Sequence, residues 1–166
     1  MSDQTAAPTI RKFLVFSLNG EHYGIPLLSV REVIAPTNIT PVPNTPSYFL
    51  GVMNLRGQVV SVMDLRQKLR LPKVPLSAES AIIILDFHPL SIGILVDKVD
   101  SVLAAQESQM GERPDIDAGT RSEHITAVYR DEAHNKLILI FDVEKTLNIE
   151  ELKALKNQNS SRGAVA

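Results

Sequence analysis

Arg56 and Glu32 are the residues whose type and placement invite chemistry. Arg56 stands in the corner Asn54-Leu55-Arg56-Gly57, between a strand-like lead-in (Gly51 to Leu55) and a near-continuous apolar strand, Gln58 to Met63. Gly57 permits the positive φ that a tight corner requires and that a Cβ resists. A guanidinium between two strands with apolar faces must reach solvent, find a carboxylate, or offer itself to a partner. Glu32, in Val-Arg-Glu-Val, is the expected carboxylate, paired with Arg56 across adjacent strands. A bidentate carboxylate–guanidinium pair supplies orientation more reliably than net stability. Such a pair presents a charged centre inside an apolar groove, or it is a structural bridge that meets no partner.

Other reactive residue types do not converge. The histidines His22, His88, His124 and His134 are scattered, without the spacing of metal ligands. Asp64 and Asp142 each precede a short helical pattern and read as N-caps, not as a catalytic pair. No serine sits in a nucleophile elbow, and no glycine-rich loop opens a helix to cradle phosphate. Neither a kinase nor a receiver signature is present. The expectation is a protein that is not an enzyme, with no metal and no cofactor.

Composition narrows the partners. The 166-residue chain has a formal charge of −2 and no Trp, so no broad basic field draws it to nucleic acid or anionic lipid. Few aromatic residues are available to stack single-stranded bases. Cysteine is absent, which removes disulfides, thiolate zinc sites and Cys nucleophiles together. The opening residues lack a cationic start and an apolar run, and no run of about 18 apolar residues exists to span a bilayer. A soluble, cytoplasmic protein is expected, with no nucleic acid and no direct membrane contact.

The elements that must position the corner are mostly strands. After a loose tail over residues 1–11, Lys12 to Leu18 is a strand. Asn19-Gly20 is a two-residue hairpin turn, and Glu21 to Pro26 is the returning strand. Leu27 to Val30 reads as a helical turn, Arg31 to Ile34 as a strand, and Ala35 to Pro46 as Pro- and Thr-rich loop with an edge strand at Thr40 to Val42. Thr45 and Pro46 read as the cap and first position of a further turn. Asp64 caps a helical turn from Leu65 to Leu69, and Arg70 to Glu79 is a connector. Ala81 to Phe87 and Ser91 to Asp97 form a second hairpin, and Lys98 to Leu103 continues as strand or short helix. Gln106 to Glu123 is a long polar loop. Ile125 to Arg130 and Lys136 to Asp142 are strands. Ile149, Leu152 and Leu155 recur at helical spacing, giving an amphipathic helix over 149–156, with a flexible tail over 157–166.

The halves repeat. An offset of 69 residues carries Tyr23-Gly24-Ile25, Val30 and Val33 onto Ile92-Gly93-Ile94, Val99 and Val102. An offset of 78 carries Val59 to Leu65 onto Leu137 to Val143, which places an insertion before Ile125. Each half is then a small barrel of about five short strands, too small to be comfortably stable alone. The first barrel is expected over roughly 12–79 and the second over 80–147, sharing an apolar interface that the C-terminal helix covers. The repeat breaks at the corner. Asn54 to Gly57 has no counterpart, and Glu32 falls on Ser101. A scaffold would not need that charge pair in one half only, so function is expected near it. Val30, Val33, Val99 and Val102 are core residues or, as a repeated set, the two sides of a groove between the barrels.

At this point the sequence resembles the CheW family of chemotaxis coupling proteins. The resemblance rests on Phe13 to Phe16, Tyr23-Gly24-Ile25, Val30 to Val33, Asn44-Thr45-Pro46, Gly51-Val52, Asn54 to Gly57, Asp64-Leu65-Arg66, Gly93-Ile94 with Val96-Asp97 and Val99, and Asp142 to Lys145. It covers residues 12–156, and the corner followed by a strand and Asp-Leu-Arg, behind the Tyr-Gly-Ile hairpin, is specific in combination. Ser61 departs from a frequent proline. The resemblance implies a mainly β chain of two packed SH3-like five-stranded β-barrels with short helical turns and a C-terminal helix. It implies a non-catalytic adaptor in the cytoplasm, recruited to membrane receptor arrays through its partners. Those partners are the cytoplasmic tips of methyl-accepting chemoreceptors and the regulatory domain of the histidine kinase CheA. The receptor's helical hairpin would lie in the groove between barrels, against Val30, Glu32, Val33, Gly51, Asn54, Arg56, Gly57, Val99 and Val102. The pathway served is flagellar chemotaxis, surface motility or another receptor–kinase system. Two rival classes stand beside it: a small-barrel protein binding nucleic acid or sugar, which charge and aromatic content disfavour, and an enzyme with an unrecognised site, which a deep polar pocket with converging titratable groups would reveal.

Overall fold

Short runs rich in Val, Ile, Leu and Phe, cut by Asn-Gly, Arg-Gly and Pro-containing turns, fold into strands wherever one or both faces can be buried. The computed structural model describes residues 7, 9–111, 124–148 and 153. Among them run β1 (Ile10–Leu18), β2 (Glu21–Pro26), β3 (Val30–Ile34), β4 (Phe49–Leu55), β5 (Gln58–Asp64), α1 (Leu65–Lys68), β6 (Ala81–Phe87), β7 (Leu90–Val96), β8 (Lys98–Gln106), β9 (Met110–Gly111), β10 (Ile125–Asp131), β11 (Lys136–Phe141) and α2 (Val143–Leu147). The protein is mainly β, in two sheets. One has six strands in the order β8-β1-β2-β11-β10-β9, and the other five in the order β3-β6-β7-β5-β4.

Both sheets curl. The outermost strands of the larger one, β8 and β9, are joined by only the 3-10 turn Glu107–Gln109. In the smaller one the segment between the outermost strands β3 and β4 folds back, and Thr40 bridges Val52 through two backbone hydrogen bonds of 2.8 and 2.9 Å.

The sheets do not divide the chain at residue 80. The opening hairpin β1–β2 lies in the sheet of β8 to β11, and β6–β7 lies in the sheet of β3 to β5. The barrels expected over 12–79 and 80–147 have therefore exchanged hairpins. The cause is the partner each hairpin finds on its second edge. β2 pairs with β11, and β7 with β5, both in parallel, and parallel neighbours need a long crossover that no tight turn provides. The two parallel ladders coincide under the repeat. Val62 lies opposite Gly93 and Ile140 opposite Gly24, at the offsets of 78 and 69 read from the sequence. At both glycines a Cβ would press on isoleucine methyls, 2.8 Å from Ile140 and 2.9 Å from Ile82.

The largest apolar cluster lies between the sheets. β1 gives it Leu14, Phe16 and Leu18, and β6 gives Ile83 and Leu85. The alternate residues Phe13 and Val15 face the six-stranded sheet's own core, and Ile82 and Ile84 the five-stranded sheet's core. β1 and β6 are thus buried on both faces, which is why they read as unbroken apolar runs. The shared apolar interface expected of the two halves is the centre of the molecule.

Local expectations fare unevenly. Asp64 caps α1 by accepting from the Arg66 and Gln67 amides, and Asp142 caps α2 by accepting from Lys145. Thr45 instead donates its hydroxyl to the Val42 carbonyl at 2.8 Å, closing the preceding turn. Lys98 to Leu103 is strand, and β8 runs on to Gln106. The loop expected over Gln106 to Glu123 begins as strand, 3-10 turn and strand through Gly111. Its remainder, the helix over 149–156 (apart from Lys153) and the tail over 157–166 lie outside the described residues, as do most of the N-terminal positions before Thr9.

Candidate partner-binding site

The corner is a two-residue turn closed by the pairing of Leu55 with Gln58. Arg56 and Gly57 both have positive φ, 51° and 86°, the pattern of a primed hairpin turn whose twist matches its strands. The Asn54 side chain accepts from the Gly57 amide at 2.9 Å and braces it. Arg56 projects outward, 71% exposed, and grips Glu32 through two hydrogen bonds of 3.0 and 2.8 Å.

The expected pair therefore forms, but not across adjacent strands. β3 and β4 are the two ends of the five-stranded sheet, so the pair ties its edges together. A second link runs alongside, Arg31 to the Gln58 side chain at 2.7 Å. The pair also lies on a different face from the valines. Glu32 stands opposite Ile84, which belongs to the core inside the five-stranded sheet. Val30 and Val33 stand opposite Leu85 and Ile83, which belong to the central core. Opposed residues on antiparallel strands share a face. A register shift between Val30 and Glu32 leaves Arg31 as the extra residue and puts Val30 and Val33 on one side.

β8 repeats this arrangement. Its register shift leaves Asp100 as the extra residue, and Val99 and Val102 stand opposite Phe16 and Leu14 of the central core. All four valines thus fringe the seam between the sheets. Val30 and Val99 pack against the central core. Val33 and Val102 are 41% and 55% exposed, an apolar surface on two strands from opposite halves. Gly51 is buried and belongs to neither set; a Cβ there would collide with the Thr40 carbonyl.

Sequence reasoning missed a second ion pair. Arg66, two residues past the Asp64 cap, is 8% exposed. Its Nε and one Nη donate to the two oxygens of Asp97, each at 2.6 Å, and the other Nη donates to the Pro72 carbonyl at 2.7 Å. Asp97 also accepts from the Asn19 amide at 2.9 Å. One charge pair thus fastens α1, the connector after it, the β7–β8 junction and the β1–β2 turn. The sequence signal is weak: the turn carries Arg66, Gln67 and Lys68 side by side, and only the fold shows that Arg66 is the one turned inward. Burial alone would raise the Asp97 carboxyl, but the hydrogen bonds from Arg66 and Asn19, with the guanidinium's attraction, hold it below its ordinary value. The hydrogen bond to Asp97 raises Arg66 in turn, against the effect of burial. A carboxyl depressed by folding stabilises the fold above its unfolded pKa of about 3.9 and loses that contribution as pH falls through the folded value. The gap in thermal unfolding between Asp97→Asn and the parent should therefore narrow progressively as pH falls below about 4. A gap that persists unchanged into stronger acid would contradict this role.

Ser17, His22 and Asp100 also meet. The Ser17 hydroxyl donates to Asp100 Oδ2 at 2.6 Å, and His22 Nδ1 lies 3.1 Å from the same oxygen. A serine whose proton is directed at the carboxylate is not activated by the imidazole, so the group lacks nucleophile logic. Among the described residues no three His, Cys, Asp or Glu side chains could hold a metal ion, and no helix is long and apolar enough to cross a membrane.

Comparison with known proteins gives consistent matches. The family described as CheW-like domain matches residues 12–151. The chain is 33% identical over 147 residues to "Chemotaxis protein CheW" of Klebsiella aerogenes, covering 89% of this chain and 87% of the relative. It is 32% identical over 157 residues to the protein of the same name in Bacillus subtilis, covering 95% and 94%. The crystal structure of the scaffolding protein TtCheW from Thermoanaerobacter tengcongensis superposes with a TM-score of 0.73 at 30% identity, covering 82% of this chain and 90% of the other.

Proposed function

Because the chain belongs to the CheW-like domain family, we propose that it is a non-catalytic adaptor that couples chemoreceptors to the histidine kinase CheA. The observation that carries the reading is that Val30 and Val99 pack on the central core while Val33 and Val102, on the same faces of β3 and β8, stand exposed. An exposed apolar strip flanked by polar fixing groups suits the apolar stripe of a helix. The receptor's cytoplasmic helical hairpin is the proposed occupant, with Val30, Val33, Val99 and Val102 as its floor. Glu32 and Arg56, one strand face away, supply the orienting charge, on a corner held by Asn54 and Gly57. Gly51 acts behind them by letting the Thr40 segment close on β4. The kinase's regulatory domain would take a different surface, so both partners can be held at once. The protein then acts by differential binding to the kinase's states rather than by chemistry.

Arg56→Ala tests the site. The pair is exposed, so its loss should cost only about 0.2–1 kcal/mol of stability. Receptor binding should fall at least tenfold, the loss of roughly 1.4 kcal/mol, with kinase binding unchanged. Isothermal titration against a soluble receptor hairpin and the isolated kinase regulatory domain reads both. A variant that binds receptor normally, or one that loses both partners and unfolds, would assign the pair to structure alone.

A further inference from the structure

The register shifts in β3 and β8 fall at equivalent places in the repeat, and the residues they free carry opposite charges. The extra residue is Arg31 in β3 and Asp100 in β8, and the offset of 69 carries one onto the other. A bulge re-aims the side chain it frees and is common beside functional sites. In the second half the freed charge is met within the fold. Asp100, 19% exposed, accepts from the Ser17 hydroxyl at 2.6 Å and lies 3.1 Å from His22 Nδ1.

In the first half it is not. The counterpart of Ser17 is Asp86, on β6, which pairs with β3 as β1 pairs with β8. The repeat thus sets a carboxylate on the strand beside Arg31. Yet Arg31 forms no ion pair with Asp86 or with any other described residue. It reaches to the start of β5 and donates to the Gln58 side-chain oxygen at 2.7 Å. Gln58 closes the turn that carries Arg56, so two guanidiniums stand at one corner. Glu32 has both oxygens engaged by Arg56, which leaves Arg31 tethered by a neutral amide with its charge unmatched. Like charges brought together destabilise, and no described residue offsets this. The tether fixes the direction of the guanidinium and leaves most of its fork of donors unused. A cation set in place this way loses little further freedom on meeting an anion.

We infer that Arg31 is a recognition cation for a carboxylate carried by the partner, with Gln58 as its positioning residue. The inference rests on the adaptor reading and deepens it. The partner is the receptor's helical hairpin, and the group presented here is an aspartate or glutamate side chain. A carboxylate suits the site better than a phosphate polymer, because one guanidinium in a chain of net charge −2 makes no basic field. Val30, the residue before Arg31, packs on the central core, so the cation borders the apolar surface proposed for the hairpin. The Glu32–Arg56 pair has no net charge. Arg31 gives the corner a sign, and through it discriminates among hairpins of different charge.

Isothermal titration of the full-length protein with a soluble receptor hairpin, at low and at high salt, tests this. Arg31→Gln should bind about tenfold more weakly than the parent at low salt, the scale of one charge-assisted contact. The gap should close as salt screens the pair. Arg31→Lys, which keeps the charge without the fork, should fall between the two. Gln58→Ala should weaken binding about threefold and keep the parent's salt dependence, since it loosens the cation without removing it. On the same samples Arg31→Gln should melt no lower than the parent and bind the kinase regulatory domain as the parent does. If Arg31→Gln matches a hairpin-binding parent at both salt concentrations, the inference is overturned and the adaptor reading stands. A deficit as large at high salt as at low has the same consequence. A parent that does not bind the hairpin at all overturns both.

Discussion

Arg66→Ala should lower unfolding stability by about 3 kcal/mol, the lower end of the cost of breaking a buried ion pair. The lower end applies because Asp97 keeps 27% of its side chain exposed, so water partly screens the carboxylate left behind. The loss arises from three broken ties at once. Asp97 loses both guanidinium hydrogen bonds, the Pro72 carbonyl loses its donor, and the connector after α1 is no longer fastened to the β7–β8 junction. In a chain of this length the change corresponds to a fall in Tm on the order of 10 °C, read by circular dichroism. Replacing both residues together, Arg66→Met with Asp97→Leu, should recover most of it, because apolar residues of similar volume remove the stranded charge. A single variant that melts with the parent would show that the clasp contributes nothing.

Gly51→Ala should be comparably severe for a different reason. Gly51 has φ 143°, and a Cβ there would meet the Thr40 carbonyl and, at 3.0 Å, the Pro41 Cα. The backbone conformation alone costs a residue with a Cβ about 1–3 kcal/mol. The collision falls on backbone that cannot swing aside, so the two Thr40–Val52 hydrogen bonds are lost too, at about 1 kcal/mol each. The segment between β3 and β4 then lifts away from the five-stranded sheet. Urea denaturation should show a lower midpoint, and hydrogen exchange should speed at the Thr40 and Val52 amides specifically. Slow exchange there in the variant would mean the approach is looser than described.

Much of this architecture was readable in advance because strands and turns are local. Asn19-Gly20 and Arg56-Gly57 mark their hairpins through backbone preference alone, and Asp64 and Asp142 mark helix starts through the amides they accept. The repeat was readable too, since it needs only aligned residue types. The exchange of hairpins was not, because β3 beside β6 rather than β2 is a choice among distant partners that leaves no trace in either strand. Register faces were hidden for a related reason. Strict alternation puts Val30 and Glu32 on one side of β3 and Val33 on the other. The extra residue at Arg31 reverses that, joining Val30 to Val33 and sending Glu32 to the opposite face. Of the expected site, Arg56 and Glu32 were legible as a pair because the second half lacks them. Arg66 was passed over because its motif residues Asp64-Leu65-Arg66 read as a cap and a helical turn, and its partner Asp97 lies 31 residues away. The buried Gly51 was grouped with surface residues because sequence does not show which backbone it must let approach.

The central claim is that this protein holds a receptor and a kinase together and makes one answer to the other. The most direct measurement is CheA autophosphorylation in vesicles carrying a chemoreceptor, with and without this protein. The account predicts that phosphorylation rises several-fold above the kinase alone only when all three are present, and that attractant then suppresses it. Kinase activity indifferent to the protein, or a kinase complex that excludes the receptor, would contradict it.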